Sequence, residues 1–227
     1  MKDLESQPRD PRLQVKVCGL TRVEEAQACA ALGIDAVGLV FYPPSPRFVT
    51  ERQARAISDG LPPTVATVGV FVDEPLDGIL RKIDRCGLHA VQLHGREPPE
   101  LVDRLQREAV LVIKAIFSRK SPCLARAADF TPSAFLAECG SGRLPGGNAR
   151  EWRWQEARGV SVSRPLLLAG GLNPDNVADA IAAALPDALD VSSGVERAPG
   201  RKDKTHVQHF MEAVARCRLN FTPRRIF

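Results

Sequence analysis
Eight short apolar or β-branched runs recur along the chain: Val15–Val17, Ala36–Phe41, Val65–Val72, Ala90–Leu93, Val110–Ile116, Ala134–Ala137, Pro165–Ala169 and Ala188–Val191. Segments with helical spacing separate most of them. Thr21 precedes Glu24 by three residues and Thr50 precedes Gln53 by three, each the pattern of a capping box. Asn173-Pro174 reads as a cap followed by proline at the first helical position. Val207, Phe210, Met211, Val214 and Cys217 share one helix face within Lys202–Leu219. The weak member is Ser118–Ala128, which carries Pro122 and little periodicity.

Strands alternating with helices predict a parallel sheet, closed either as an open doubly wound layer or as an eight-fold barrel. Eight strand candidates in 227 residues favour the barrel, so the expected fold class is a single-domain α/β (βα)8 TIM barrel. The expected division is a polar N-terminal extension over residues 1–13, the barrel over 14–219 and a C-terminal tail over 220–227. With 44% hydrophobic residues the chain can bury a substantial core without a covalent staple.

Partners are constrained by charge and by cysteine spacing. The net charge of +4 is a mild excess that does not call for a polyanion, and the basic group Arg216, Arg218, Arg224, Arg225 reads as a solvated tail. No nucleic-acid partner is expected. None of the six cysteines forms a C-x-x-C pair or a zinc-finger cluster with histidine. The polar start MKDLESQPRD is unlike a signal peptide, and no apolar run approaches the ~20 residues of a membrane span. The expectation is a reduced, cytoplasmic, enzyme-sized protein with no membrane partner.

In a parallel barrel the site lies at the C-terminal ends of the strands. Those ends here are Cys18-Gly19, the loop Tyr42–Arg47, Asp73, His94-Gly95, Glu138-Cys139, Gly170-Gly171 and Ser192-Ser193-Gly194. Reactive side chains and glycines at nearly every end exceed what strand termination needs. The last two ends let backbone approach a ligand closely, and loops after strands seven and eight of barrels often hold phosphate. Cys18 reads either as a buried small hydrophobe or, facing the mouth beside a cation or helix start, as a proton acceptor. Arg47, after a loop stiffened by Pro43, Pro44 and Pro46, reads either as a bidentate carboxylate clamp or as a surface arginine. His94 stands between ligand contact and a packing role. Cys139, next to Glu138, points away from the mouth if strand alternation persists, and reads as packing.

VKVCGLT, FYPPSPRFV, VGVFV, VQLHG, the LPGG loop, LAGGLNPDNV and DVSSGVERAPGRKD occur in an order and spacing that resembles the phosphoribosylanthranilate isomerases of tryptophan biosynthesis. The resemblance runs from about Val15 to about Cys217. It implies a (βα)8 barrel that converts phosphoribosylanthranilate, its small-molecule substrate, into carboxyphenylaminodeoxyribulose phosphate by an Amadori rearrangement. It implies no metal and no organic cofactor, and a monomer or homodimer. Carried onto this chain, it implies Cys18 as general base and Arg47 as holder of the anthranilate carboxylate. Gly170, Gly171, Ser193 and Gly194 would hold the phosphate, and His94 and Asp190 match further substrate-site positions.

Two departures from the family pattern fall on one unit. Glu138 stands where the family's general acid is an aspartate, so the resemblance makes Glu138 the acid through a side chain one methylene longer. The family's Gly-Gly-Thr-Gly turn and Phe-Asp-Trp triplet become Gly146-Gly147-Asn148-Ala149 and Trp152-Arg153-Trp154. The alternative these changes raise is a phosphosugar-binding paralogue with lost or altered isomerase activity. A further alternative is an isomerase of a related aminoaldose phosphate, for which paired aspartates would be expected and Cys18 occupies the first place.

Overall fold
The computed structural model describes residues 12–140, 151–160 and 163–227. Its eight parallel strands close into a barrel in sequence order: β1 Gln14–Cys18, β2 Ala36–Val40, β3 Ala66–Phe71, β4 Ala90–Leu93, β5 Leu111–Phe117, β6 Ala134–Glu138, β7 Leu166–Leu168 and β8 Ala188–Val191. β1 pairs with both β2 and β8, which leaves no sheet edge. The barrel expectation holds, and the open sheet is excluded.

Among the described residues, six α-helices cover the outside: α1 Val23–Ala31, α2 Glu51–Asp59, α3 Leu76–Cys86, α4 Pro99–Arg107, α5 Val177–Ala184 and α6 Lys204–Arg216. In the described residues of the fifth and sixth crossovers 3-10 helices stand instead, Leu124–Asp129 and Trp154–Gly159. The first of these falls where the sequence lacks helical periodicity. A two-stranded antiparallel hairpin, β9 Glu196–Ala198 and β10 Arg201–Lys202, follows the barrel and precedes α6.

Local signals explain most boundaries. Thr50 and Gln53 make the full capping box of α2. The matching expectation at Thr21 is corrected: α1 begins after Arg22 with no side-chain cap, because the Thr21 hydroxyl donates to the Gly200 carbonyl instead. Asn173 accepts from the backbone N–H of Asp175 and Asn176, so it caps a turn that leads into α5 at Val177.

Strand alternation splits the apolar residues into two packed layers. Val15, Val17, Val37, Leu39, Phe135, Leu166 and Leu189 join the layer between barrel and helices. Ala36, Val68, Ala90, Ile113, Ala115, Leu136 and Ala188 fill the barrel interior. The segment 220–227, read from the sequence as a tail, crosses the N-terminal end of the barrel. Ile226 joins the interior layer there, and Gln14 Oε1 accepts from the backbone N–H of Ile226 and Phe227. Arg224 donates to both carboxylate oxygens of Asp187, whose Oδ2 also accepts from Leu166 N. One of the four basic tail residues is thereby spent on sealing the barrel base.

Candidate active site
The opposite end of the barrel is open. A cavity is lined there by residues from β1, β2, β3, β4, β6 and β8 and from the loops that follow β2, β3, β4, β7 and β8. It brings together Cys18, Arg47, His94, Glu138, Gly170, Gly171, Asp190 and Ser193. Gly194 lies behind this wall, among the residues of a neighbouring depression with Asn173 and His206. A Cβ at Gly194 would come within 1.9 Å of the Leu172 carbonyl oxygen, so the missing side chain lets the loops after β7 and β8 touch.

Cys18 ends β1 with its side chain inward. It faces Gly38 on β2, where a Cβ would sit 2.6 Å from the sulfur, so the glycine makes room for the thiol. Two residues earlier on the same strand face lies Lys16, fully buried, with Nζ 2.7 Å from Asp190 Oδ1. Burial pushes this ammonium down, but Asp190 first and then Cys18 outweigh it and hold it above its ordinary value. Burial pushes the Cys18 thiol above its ordinary value; Lys16 opposes that push, Asp190 adds to it and Lys202 opposes it.

Glu138 ends β6 and is buried, with Oε1 3.5 Å from His94 Nε2. Burial pushes its carboxyl up, but His94 first, then Lys120 and Lys16, pull it below the ordinary carboxylate value. The Gln92 amide lies 2.9 Å from His94 Nδ1, and the His94 ring packs edge-on against Phe117. Gln92 Oε1 and His94 Nε2 are buried without hydrogen-bond partners among the described residues, and both residues line the cavity. Unpaired polar atoms on a cavity wall are places for ligand atoms.

The turn carrying His94 is fixed from outside the barrel. Glu97 accepts from the backbone N–H of Asp73 and Gly95 and pairs with the buried Lys114. The loop after β7 is fixed similarly: Trp152 Nε1 donates to the Ala169 carbonyl and Trp154 Nε1 to the Gly170 carbonyl. Gly170 and Gly171 take φ of 89° and 75°, a conformation that costs glycine little. The altered turn Gly146–Ala149 lies outside the described residues.

Arg47 reaches the cavity with its fork already engaged: Nε donates to Glu196 Oε1 at 2.9 Å and Nη2 to Oε2 at 2.7 Å. Cys139 sits in the outer apolar layer, as alternation predicts.

Sequence reasoning missed Lys16, Gln92, Glu196 and Lys202. Lys16 and Gln92 each stand two residues before a recognised site residue on a strand, so they share its face; a polar residue on an inward face was the available signal. Glu196 and Lys202 meet through the β9–β10 hairpin, which no local pattern announced.

The family model described as N-(5'phosphoribosyl)anthranilate (PRA) isomerase matches residues 15–213. The N-(5'-phosphoribosyl)anthranilate isomerase of Desulfatibacillum aliphaticivorans is 49% identical over 215 residues, 95% of this chain and 99% of the relative. The isomerase of that name from Pelobacter propionicus is 41% identical, over 92% of this chain and 99% of its own. Among solved structures, phosphoribosyl anthranilate isomerase from Thermotoga maritima superposes with a TM-score of 0.81 at 40% identity, covering 89% of this chain and 98% of that one. A phosphoribosyl anthranilate isomerase in complex with reduced 1-(o-carboxyphenylamino)-1-deoxyribulose 5-phosphate superposes with a TM-score of 0.78, at the same identity and coverage. On the family match and the near-complete alignment to these relatives, the chain belongs to the N-(5'-phosphoribosyl)anthranilate isomerase family.

Proposed function
We propose that the chain isomerises N-(5'-phosphoribosyl)anthranilate to 1-(2-carboxyphenylamino)-1-deoxyribulose 5-phosphate, a step of tryptophan biosynthesis, acting in the cytoplasm as a monomer or homodimer. The observation that carries the reading is one cavity lined by a thiol and a carboxyl, Cys18 and Glu138, together with Arg47 and the Gly170-Gly171 turn. The phosphosugar-binding alternative is not favoured, since relatives named as this isomerase align along nearly the whole chain.

The chemistry assigns each group a task. Glu138 gives a proton to the furanose ring oxygen as the C1–O bond breaks, and the anilino nitrogen lone pair forms the C1=N bond of an iminium. That cation acidifies the C2 hydrogen. Cys18 removes it as thiolate; the C–H electron pair becomes the C1=C2 bond and the C1=N pair returns to nitrogen. The resulting enolamine becomes the ketone by losing the O2 proton and gaining one at C1. Arg47 holds the anthranilate carboxylate, and the backbone of Gly170, Gly171 and Ser193 holds the phosphate, with Gly194 keeping the two loops together. Fixing both ends of the substrate removes part of the entropic barrier.

At neutral pH the resting site has its proton on the Cys18 thiol and its charge on Glu138, because one group is pushed up and the other down. The reaction uses the opposite arrangement. The reactive ionisation holds the same number of protons as the resting one, so the rate stays level between the two ionisations and falls on either side. Lys16 raises the reactive fraction on balance, because it is the first of the groups that oppose burial at Cys18 and the last of those that lower Glu138.

Complementation of a tryptophan auxotroph lacking this isomerase, with a turnover assay on the purified chain, tests the function. Growth and turnover are expected; no growth from soluble, folded protein contradicts it.

A further inference from the structure
Arg47 does not reach the cavity as a free guanidinium. The Glu196 carboxylate gathers four donors: Arg47 Nε at 2.9 Å, Arg47 Nη2 at 2.7 Å, Lys202 Nζ at 2.7 Å and Gly200 N at 3.2 Å. Glu196 and Lys202 side chains are almost completely buried, at 4% and 1% exposed, so this cluster is not a solvated surface pair. Lys202 is further tied to the Ser192 carbonyl at 3.1 Å. The hairpin that carries the cluster is anchored to α1, where Glu25 accepts from Arg201 Nε and from Lys202 N. The other flank of Arg47 is closed by Gly19, where a Cβ would stand 2.4 Å from Arg47 Cδ.

Two cations and one carboxylate leave the cluster with a net single positive charge. Glu196 takes the Nε edge of the guanidinium, and Nη1 is the nitrogen that it leaves for a ligand. An arginine on a loop ordinarily loses side-chain entropy when it binds; here that ordering is present before the ligand arrives.

We propose that Glu196 is the positioning residue for carboxylate recognition in this site: it fixes the Arg47 fork from the rear so that the open end selects substrates bearing an aryl carboxylate. The proposal rests on the reading of Arg47 as the clamp for the anthranilate carboxylate. It adds that the selectivity of the clamp resides in the Arg47–Glu196 pair, with Lys202 as the second cation that keeps Glu196 ionised in its buried place.

The test compares two substrates, phosphoribosylanthranilate and its carboxylate-free counterpart phosphoribosylaniline, on wild type, Arg47→Gln, Glu196→Gln and Glu196→Asp. Glu196→Gln is expected to raise KM for the anthranilate substrate by about tenfold or more, with kcat changed by less than about threefold. For the aniline substrate the same variant is expected to change KM by less than about twofold. Glu196→Asp keeps the charge that holds Lys202 and Arg47, so it carries the test if Glu196→Gln fails to fold. It is expected to show the same selective KM rise at smaller size. Equal effects of the Glu196 variants on both substrates, a loss confined to kcat, or no effect overturns the proposal. Arg47→Gln separates the two levels of the argument. If it also treats both substrates alike, the clamp reading fails and this inference fails with it; if it discriminates while the Glu196 variants do not, the clamp stands and only Glu196 is removed from it.

Discussion
His94 Nε2 stands 3.5 Å from Glu138 Oε1, both side chains buried at the mouth of the barrel. The contact sets the charge of the proposed acid. Burial alone would push Glu138 up, and His94 is the largest of the influences that bring it down instead. A carboxyl held below its ordinary 4.5 contributes stability that is complete above that value and lost as pH falls through the folded one. In His94→Gln the carboxyl rises. The acid-side loss of stability then becomes shallower, and the acid limb of the kcat/KM profile moves to higher pH. Profiles of wild type and variant check this, and an unmoved acid limb contradicts it.

Lys16 makes the corresponding statement about the base. Its ammonium opposes the upward push of burial on Cys18, whose ordinary value is 9.0. Lys16→Met removes that opposition, so thiolate becomes scarcer and the alkaline limb of the kcat/KM profile moves up. The expected loss in kcat/KM at pH 7 is about tenfold or more. Leaving Asp190 without its buried partner also lowers stability by about 3 kcal/mol. A thermal or denaturant transition measured beside the pH profile separates the two effects.

The acid's length matters because its carboxyl already touches His94. Glu138→Asp draws the carboxyl back by roughly one bond length, and a misplacement of ~1 Å costs on the order of a hundredfold. A fall in kcat of about that size, with KM little changed, is expected from steady-state kinetics. A rise in kcat would mean that the cavity is still fitted to the family's aspartate.

Ile226 tests whether the last residues belong to the barrel. It is buried in the interior layer, and Ile226→Ala removes apolar contacts from the barrel base at a cost of about 2 kcal/mol. Urea unfolding measures this, with activity at the far end of the barrel unchanged in the folded protein. An unaltered midpoint would show that the segment only rests on the barrel.

Strand positions were readable because a strand buried on both faces leaves an unbroken apolar run, and all eight runs fall on strands within about two residues. Ends such as Cys18, His94 and Glu138 were readable because parallel barrels converge their C-terminal ends on one mouth. Thr21 was misread for a tertiary reason: a hydroxyl that fits a local capping box met the Gly200 carbonyl, far away in sequence, and bonded there instead. Glu196 was hidden for the same reason, since its partner Arg47 comes from the loop after β2, far away in sequence, while Lys202 meets it across the β9–β10 hairpin. The tail's role at the barrel base was likewise invisible, because Gln14 and Phe227 lie at opposite ends of the chain and meet only once the barrel has closed.

The central claim is that Cys18 and Glu138 act as base and acid on a phosphoribosylated anthranilate held in this cavity. Turnover of phosphoribosylanthranilate by wild type, Cys18→Ala and Glu138→Ala, with the affinity of each for the reduced product analogue, tests it most directly. The account predicts measurable wild-type turnover and a loss in kcat of about 10²–10⁴-fold in each variant, with analogue affinity retained within about tenfold. A folded wild type without turnover, or either variant turning over at the wild-type rate, would contradict it.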